Sequence, residues 1–161
     1  MDLVEQISSL AAKHGLTVAC AESLTSGAIA TELGKGEGAS EWFAGGVVAY
    51  RPPVKFRVLD VDEGPVMTAS CGEQMAVGLG RLFGSDASVA VTGVGGPGHE
   101  ESEPPGTVFV ATCVRDRVSV NRHQFEGDPP EVLDQTVHAA LTQLAGELTR
   151  LEEPTAAEYQ P

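Results

Sequence analysis

Residues 16–33 read Leu-Thr-Val-Ala-Cys-Ala-Glu-Ser-Leu-Thr-Ser-Gly-Ala-Ile-Ala-Thr-Glu-Leu. Leu16 to Cys20 is short, apolar and β-branched enough for a buried strand. Ala21 to Gly27 is a small polar turn, and a helix is expected from about Gly27 to Leu33. A strand that ends in such a turn and opens a helix aims main-chain N–H groups at the gap between them. It is also the repeating unit of an α/β sheet.

The flanking segments extend that pattern. Leu3, Ile7, Leu10 and Ala11 share one face of a helix over 3–14, which Gly15 stops. Downstream, Gly34 to Ser40 is a glycine-rich loop and Gly45 to Tyr50 a second strand. Pro52-Pro53 opens a helix that carries Lys55, Phe56 and Leu59. Thr68 caps another over 68–83, where Met75, Leu79, Leu82 and Phe83 recur at helical spacing. Ala87 to Thr92 is an apolar strand running into Gly93-Val94-Gly95-Gly96-Pro97-Gly98. An acidic loop, His99 to Pro105, follows. Thr107 to Val114 and Val118 to Phe125 flank Arg115-Asp116-Arg117 as a hairpin. Asp128 before Pro129-Pro130 opens a last helix running to about Leu151. Strands alternate with helices early, and a strand pair follows. The expected fold is therefore α/β: one three-layer α/β/α sandwich with a mixed β-sheet over residues 1–151. Residues 152–161, polar and proline-bearing, are expected to form a flexible tail.

Composition narrows the partners. A chain of 161 residues suggests one domain. Twenty-three acids against ten Lys and Arg give a net charge of −13. That argues against nucleic acid and against an anionic membrane surface. The longest apolar runs fall far short of the roughly 18–20 residues of a membrane span. Met1-Asp2-Leu3-Val4-Glu5 has neither a basic start nor an apolar stretch behind it, so no signal peptide is expected. Cys20, Cys71 and Cys113 have no metal-type spacing and read as reduced thiols of a cytoplasmic protein.

Three features carry candidate chemistry. Gly93-x-Gly95-x-x-Gly98 matches the dinucleotide fingerprint literally, but no helix opens behind it to meet a pyrophosphate. It reads instead as a loop that lets another segment or a ligand approach the backbone. His99, Glu100, Glu101 and Glu103 could hold a cation, yet their spacing matches no metal loop, and a solvated, flexible loop with no metal is expected. Ser23 has two readings. It is an N-cap, with Thr25 and Ser26 in similar roles, or it is a nucleophile beside ready-made oxyanion donors. The patterns G-x-S-x-G and S-x-x-K are absent. A nucleophile needs a base. None of the four histidines sits at an obvious strand end. Lys55 follows the second strand closely in a chain with three lysines. It is a surface lysine, or a desolvated one with a depressed pKa that serves as the base.

Taken in order, the segments resemble a known family. Ala21-Glu22-Ser23-Leu24-Thr25-Ser26-Gly27 resembles A-E-S-C-T-G-G, and Gly38 to Phe43 resembles G-S-S-x-W-F. Gly46-Val47-Val48-Ala49-Tyr50, with Lys55 five residues on, resembles G-x-V-x-Y-x-x-x-x-K. Gly64-Pro65-Val66 is similar to G-A-V, and Met75-Ala76-x-Gly78 to M-A-x-G. Thr92 to Pro97 is similar to T/S-G-x-A-G-P, Pro105 to Val108 to P-V-G-T-V, and Phe125-x-Gly127-Asp128 to F-x-G-D-R. These are motifs of the C-terminal domain of the CinA (competence/damage-inducible) family, which includes the stand-alone nicotinamide-nucleotide amidases (PncC-like).

The resemblance spans about residues 5–150. It implies hydrolysis of the carboxamide of nicotinamide mononucleotide, or a related nicotinamide compound, to the acid and ammonia. It implies a catalytic Ser23–Lys55 pair and no cofactor or metal. It implies substrate contacts from Glu22, Thr25, Ser26, Gly27, Tyr50, Thr92, Gly93 and Gly95. The partner is then a small nicotinamide nucleotide or related amide, in a homo-oligomer.

The departures lie at the phosphate end. The arginine of G-D-R is Pro129, and Leu133 and Asp134 stand where the family often has arginines. The lysine of K-P-V-G is Pro104, and Ser26 replaces a glycine of the turn, the one before Gly27. Arg122 and Arg117 are the cations that could compensate. The alternative reading is thus a catalytically weak paralogue that binds a nucleotide or a partner protein.

Overall fold

The computed structural model describes residues 1–155. The expected tail therefore lies largely outside the described residues. In chain order the elements are α1 (Leu3–His14), β1 (Val18–Glu22), α2 (Ala28–Gly34), α3 (Ala39–Trp42), β2 (Phe43–Val48) and α4 (Pro52–Val58). Then come α5 (Ala69–Phe83), β3 (Ala87–Gly93), β4 (Thr107–Val114), β5 (Arg117–Gln124) and α6 (Pro129–Thr149), which ends in a 3-10 turn at Arg150–Glu152.

The sheet order is β2-β1-β3-β4-β5. β2, β1 and β3 run parallel, and β4 and β5 antiparallel, so the sheet is mixed as expected. Ile7, Leu33, Trp42, Leu144 and Leu148 pack on one face beneath α1, α2, α3 and α6. Leu59, Met75 and Leu79 pack on the other with Ala19, Ala21 and Ala90, beneath α4 and α5. These are the three layers.

Four local details differ from the sequence expectation, each with a physical reason. β1 starts at Val18 because the Leu16 N–H bonds back to Ala11 O at 2.9 Å and so belongs to the α1 cap. β2 starts at Phe43, which pairs with Val18, and ends at Val48. The glycine-rich loop holds the one-turn helix α3. Trp42 within it is buried and donates its indole N–H to Glu37 O, so it serves the core. Glu152 is tied to α1 by ion pairs with Lys13 and His14, so the ordered chain continues past Leu151.

β1 lies between β2 and β3: the chain passes from β1 to β2 on one side and then crosses back to β3 on the other. The C-terminal ends of these three strands thus open on a crevice at a topological switch point, where α/β sheets bind ligands. Ser23 follows β1 directly there, and Thr92 lies near the end of β3.

Seating α4 beside this crevice needs a close helix contact. A Cβ on Gly78 of α5 would fall 1.8 Å from Leu59 O, just past the end of α4. Only a residue without a side chain fits. Gly78→Ala is expected to cost about 1–3 kcal/mol or more through overpacking, read as a lowered urea midpoint.

Candidate active site

Ser23 and Lys55 are brought together. Both are buried, with Lys55 at 0% and Ser23 at 4% exposure. Lys55 sits in the first turns of α4, whose opening Pro52-Pro53 gives up no helical N–H bond. Its Nζ lies 3.0 Å from Ser23 Oγ, 2.8 Å from Ala49 O and 3.1 Å from Tyr50 O. Burial lowers the Lys55 pKa below the ordinary lysine value, while the charges of Glu100 and Glu101 nearby pull the other way. A neutral amine has two hydrogens and one lone pair. Two carbonyls, which can only accept, take the hydrogens. As an ammonium Lys55 donates to Ser23 Oγ; in the neutral form its lone pair faces that hydroxyl.

The turn is shaped by its neighbour. The Glu22 side chain is buried, and its carboxylate accepts from Ile29 N at 2.9 Å and Ala30 N at 3.0 Å. Gly27 caps α2 without a side chain, so Glu22 supplies the missing acceptor. Its carboxylate is thus spent inside the protein, where it orders the turn around Ser23. Among the described residues the Leu24 and Thr25 N–H groups, outside any helix or strand, make no intramolecular hydrogen bond. They are main-chain donors beside Ser23 without an intramolecular acceptor. The Thr25 hydroxyl is buried and has no hydrogen-bond partner among the described residues.

The other expected residues take distinct places. Ser26 stands in the left-handed region with φ 52°, followed by Gly27 at φ 108°. Tyr50 exposes its side chain and offers its carbonyl to Lys55. Thr92 Oγ1 donates to Val66 O at 2.9 Å. Gly93 packs on the β4 backbone, where a Cβ would meet Thr107 O at 2.6 Å. Gly95 packs against Leu24, so the glycine loop leans on the serine turn. Beside Lys55, burial pushes the Cys71 thiol up to about 11, which keeps it neutral.

A cavity of about 380 Å³ adjoins Lys55, lined also by Arg51, Gly64, Val66, Met67 and Glu101. Sequence reading passed over most of this wall. The acidic loop, expected to be solvated and free, is anchored: the Glu101 carboxylate accepts from Val66 N at 2.7 and 2.9 Å and from Met67 N at 3.0 Å. The partners are 35 and 34 residues apart in sequence, and no local pattern signals such a contact. Among the described residues no three His, Cys, Asp or Glu side chains gather to hold a metal ion. Of the two compensating arginines, Arg122 pairs with Glu103 at 3.3 Å. Arg117 lies at the end of the sheet opposite Thr92, since β5 pairs Arg122 with Phe109 and Arg117 with Val114.

Residues 1–148 match the CinA C-terminal domain. The chain belongs to that family. It is 35% identical over 130 residues to a putative competence-damage inducible protein of Bacillus velezensis, covering 78% of this chain and 31% of that protein. It is 39% identical over 132 residues to the protein so named in Desulforamulus reducens, covering 79% and 32%. The chain thus spans about a third of the length of these curated relatives. Among solved structures, a CinA superfamily protein of Klebsiella pneumoniae superposes with TM-score 0.87 at 28% identity, covering 92% of this chain and 96% of that one. The competence/damage inducible protein CihA of Agrobacterium tumefaciens gives 0.82 at 29%, covering 92% and 96%.

This CinA domain departs from the A-E-S-C-T-G-G pattern at Ser26, and the geometry explains the pattern. A left-handed φ costs a non-glycine residue about 1–2 kcal/mol, partly offset by the chain entropy that glycine loses on folding. Ser26→Gly is expected to raise stability by up to about 1 kcal/mol, measured by urea denaturation. A loss of stability of that size would show that the Ser26 side chain supports the turn.

Proposed function

We propose that this domain hydrolyses the carboxamide of a nicotinamide compound, with nicotinamide mononucleotide or a less phosphorylated relative as substrate, by a serine–lysine mechanism. One observation carries the reading: the buried Lys55 Nζ stands 3.0 Å from Ser23 Oγ, with both its other neighbours carbonyl oxygens. An exposed lysine with ordinary solvation would remain an ammonium and could not take a proton.

The chemistry follows from that geometry. Neutral Lys55 takes the Ser23 proton as Oγ attacks the carboxamide carbon. The Leu24 and Thr25 N–H groups stabilise the tetrahedral oxyanion. The Lys55 ammonium passes its proton to the amide nitrogen, the C–N bond breaks and ammonia leaves. Water then attacks the acyl-serine with Lys55 again as base, the C–Oγ bond breaks, Lys55 returns the proton to Ser23 Oγ and the carboxylate is released.

A second reading is favoured by Pro129, Leu133 and Asp134, which stand where the family often has arginines. Arginine is the preferred partner of a phosphate. A weakly active paralogue that binds a nucleotide or a partner protein would need the pocket but not the turnover.

Ammonia release from nicotinamide mononucleotide, nicotinamide riboside and nicotinamide separates the two. Ser23→Ala is expected to reduce release to background. If the unsubstituted protein releases no more than Ser23→Ala on all three, the amidase reading is lost. Lys55→Met is expected to lower kcat by about 10²–10⁴-fold with a smaller effect on KM. The pH profile adds a second check. Only neutral Lys55 accepts a proton, and burial lowers its pKa. The rate therefore rises with pH and levels off below the ordinary lysine range. A rate that continues to climb through that range would remove Lys55 as the base.

A further inference from the structure

The wall of the Lys55 cavity carries an anion held in place by main-chain donors. Two consecutive N–H groups, of Val66 and Met67, converge on the Glu101 carboxylate at 2.7–3.0 Å. Charge-assisted bonds from paired N–H groups to one oxyanion are how backbone recognises phosphates and carboxylates. The Thr92 hydroxyl fixes the same segment, because it donates to Val66 O, the carbonyl of the peptide whose N–H is that of Met67. The Met67 N–H is thus oriented by a bond that does not involve Glu101.

Glu101 is delivered by a costly loop. Glu101 and the next residue, Ser102, both stand at left-handed φ, 50° and 66°. Such conformations are unfavourable for residues with side chains. A competing anion that releases Glu101 would therefore also relax the loop.

Arg51 lines the same cavity. Its guanidinium has no hydrogen-bond or ion-pair partner among the described residues, and Glu101 stays beyond ion-pair distance of it. A carboxylate has two oxygens, and the N–H pair uses both. A phosphate has three terminal oxygens and more charge, enough to bond the N–H pair and face Arg51 together. Glu100, on the same cavity wall, adds negative charge, so the competition between loop and ligand is real.

We propose that the cavity beside Lys55 is an anion site of the phosphate class, formed by Arg51 and the Val66 and Met67 N–H groups, which the Glu101 carboxylate fills until a ligand phosphate displaces it. The proposal rests on the reading of this pocket as the substrate site. It gives the domain a phosphate partner separate from the lost arginine positions, with an internal competitor that weakens binding of phosphorylated ligands only.

The test is equilibrium binding by calorimetry to the full chain carrying Ser23→Ala, which blocks turnover. The ligands are nicotinamide mononucleotide and nicotinamide riboside, which differ by one phosphate. Adding Arg51→Ala is expected to weaken the mononucleotide by about tenfold or more, the size of one charged hydrogen bond, and Arg51→Lys to weaken it less. Adding Glu101→Gln is expected to tighten the mononucleotide severalfold. The riboside should change by less than about twofold in each case. Inorganic phosphate should compete with the mononucleotide and not with the riboside. Equal losses for both ligands in Arg51→Ala, an unchanged mononucleotide affinity there, or no binding of either ligand would overturn the site. Arg51 is exposed, so its variants keep the test valid if Glu101→Gln disorders the loop. Selective mononucleotide binding without ammonia release by the unsubstituted protein would support the site and end the amidase reading.

Discussion

A lysine with no exposure to solvent is the constraint around which this end of the molecule is organised. Burying an ammonium without partners is costly enough that the group sheds its proton instead. Lys55 has three polar neighbours, and two of them come from its own approach: Ala49 and Tyr50, the residues between β2 and α4. The chain thus folds back on itself so that a side chain of α4 meets the carbonyls that precede the helix. The Ala49 N–H bonds in turn to Glu22 O at 2.8 Å. This ties the end of β2 to the end of β1 and fixes the third neighbour, Ser23. Moving any of these segments would leave two carbonyls and an amine buried without partners.

Glu22 gives the arrangement its second half. A helix N-terminus beside a serine would ordinarily be credited with stabilising an oxyanion. Here the first free N–H groups of α2 are already taken by the Glu22 carboxylate. The donors left for chemistry are those of the turn itself, at Leu24 and Thr25. The acid next to Ser23 therefore acts through shape: it anchors the turn to the start of α2.

The legible part of the structure is the part written in local periodicity. Thr68 and Asp128 accept from Cys71 N and Glu131 N as helix caps, and Pro129-Pro130 starts α6, because caps and prolines act within one turn. The strand pair around Arg115-Asp116-Arg117 was readable for the same reason. Boundaries shifted where a longer-range bond competed, as when Leu16 joined the α1 cap instead of β1. The short helix α3 has its cause in Trp42, whose burial is a tertiary fact. At the site, Ser23 and Lys55 could be proposed from their places after two strands, but their contact depends on sheet order. Glu101 was illegible: it reaches a segment 35 residues away, and its loop has the composition of a solvated one.

The change of Arg to Pro at position 129 has a structural logic of its own. Pro129 occupies the first position of α6, and Asp128 and Glu131 form a reciprocal capping box there. Pro129 also comes within reach of Gly96 in the glycine loop, as does Pro105. A Cβ on Gly96 would fall 3.0 Å from Pro105 and 4.0 Å from Pro129, so a proline borders the loop where the family pattern offers a cation. That exchange favours a rigid wall over a charged one. Among the described residues, the donors that line the cavity beside Lys55 include Arg51 and the Val66–Met67 segment whose N–H groups Glu101 now covers. Pro129 thus gives α6 a firm start and brings no charge, while the buried Ser23–Lys55 contact is held by the ends of β1 and β2 and does not depend on it.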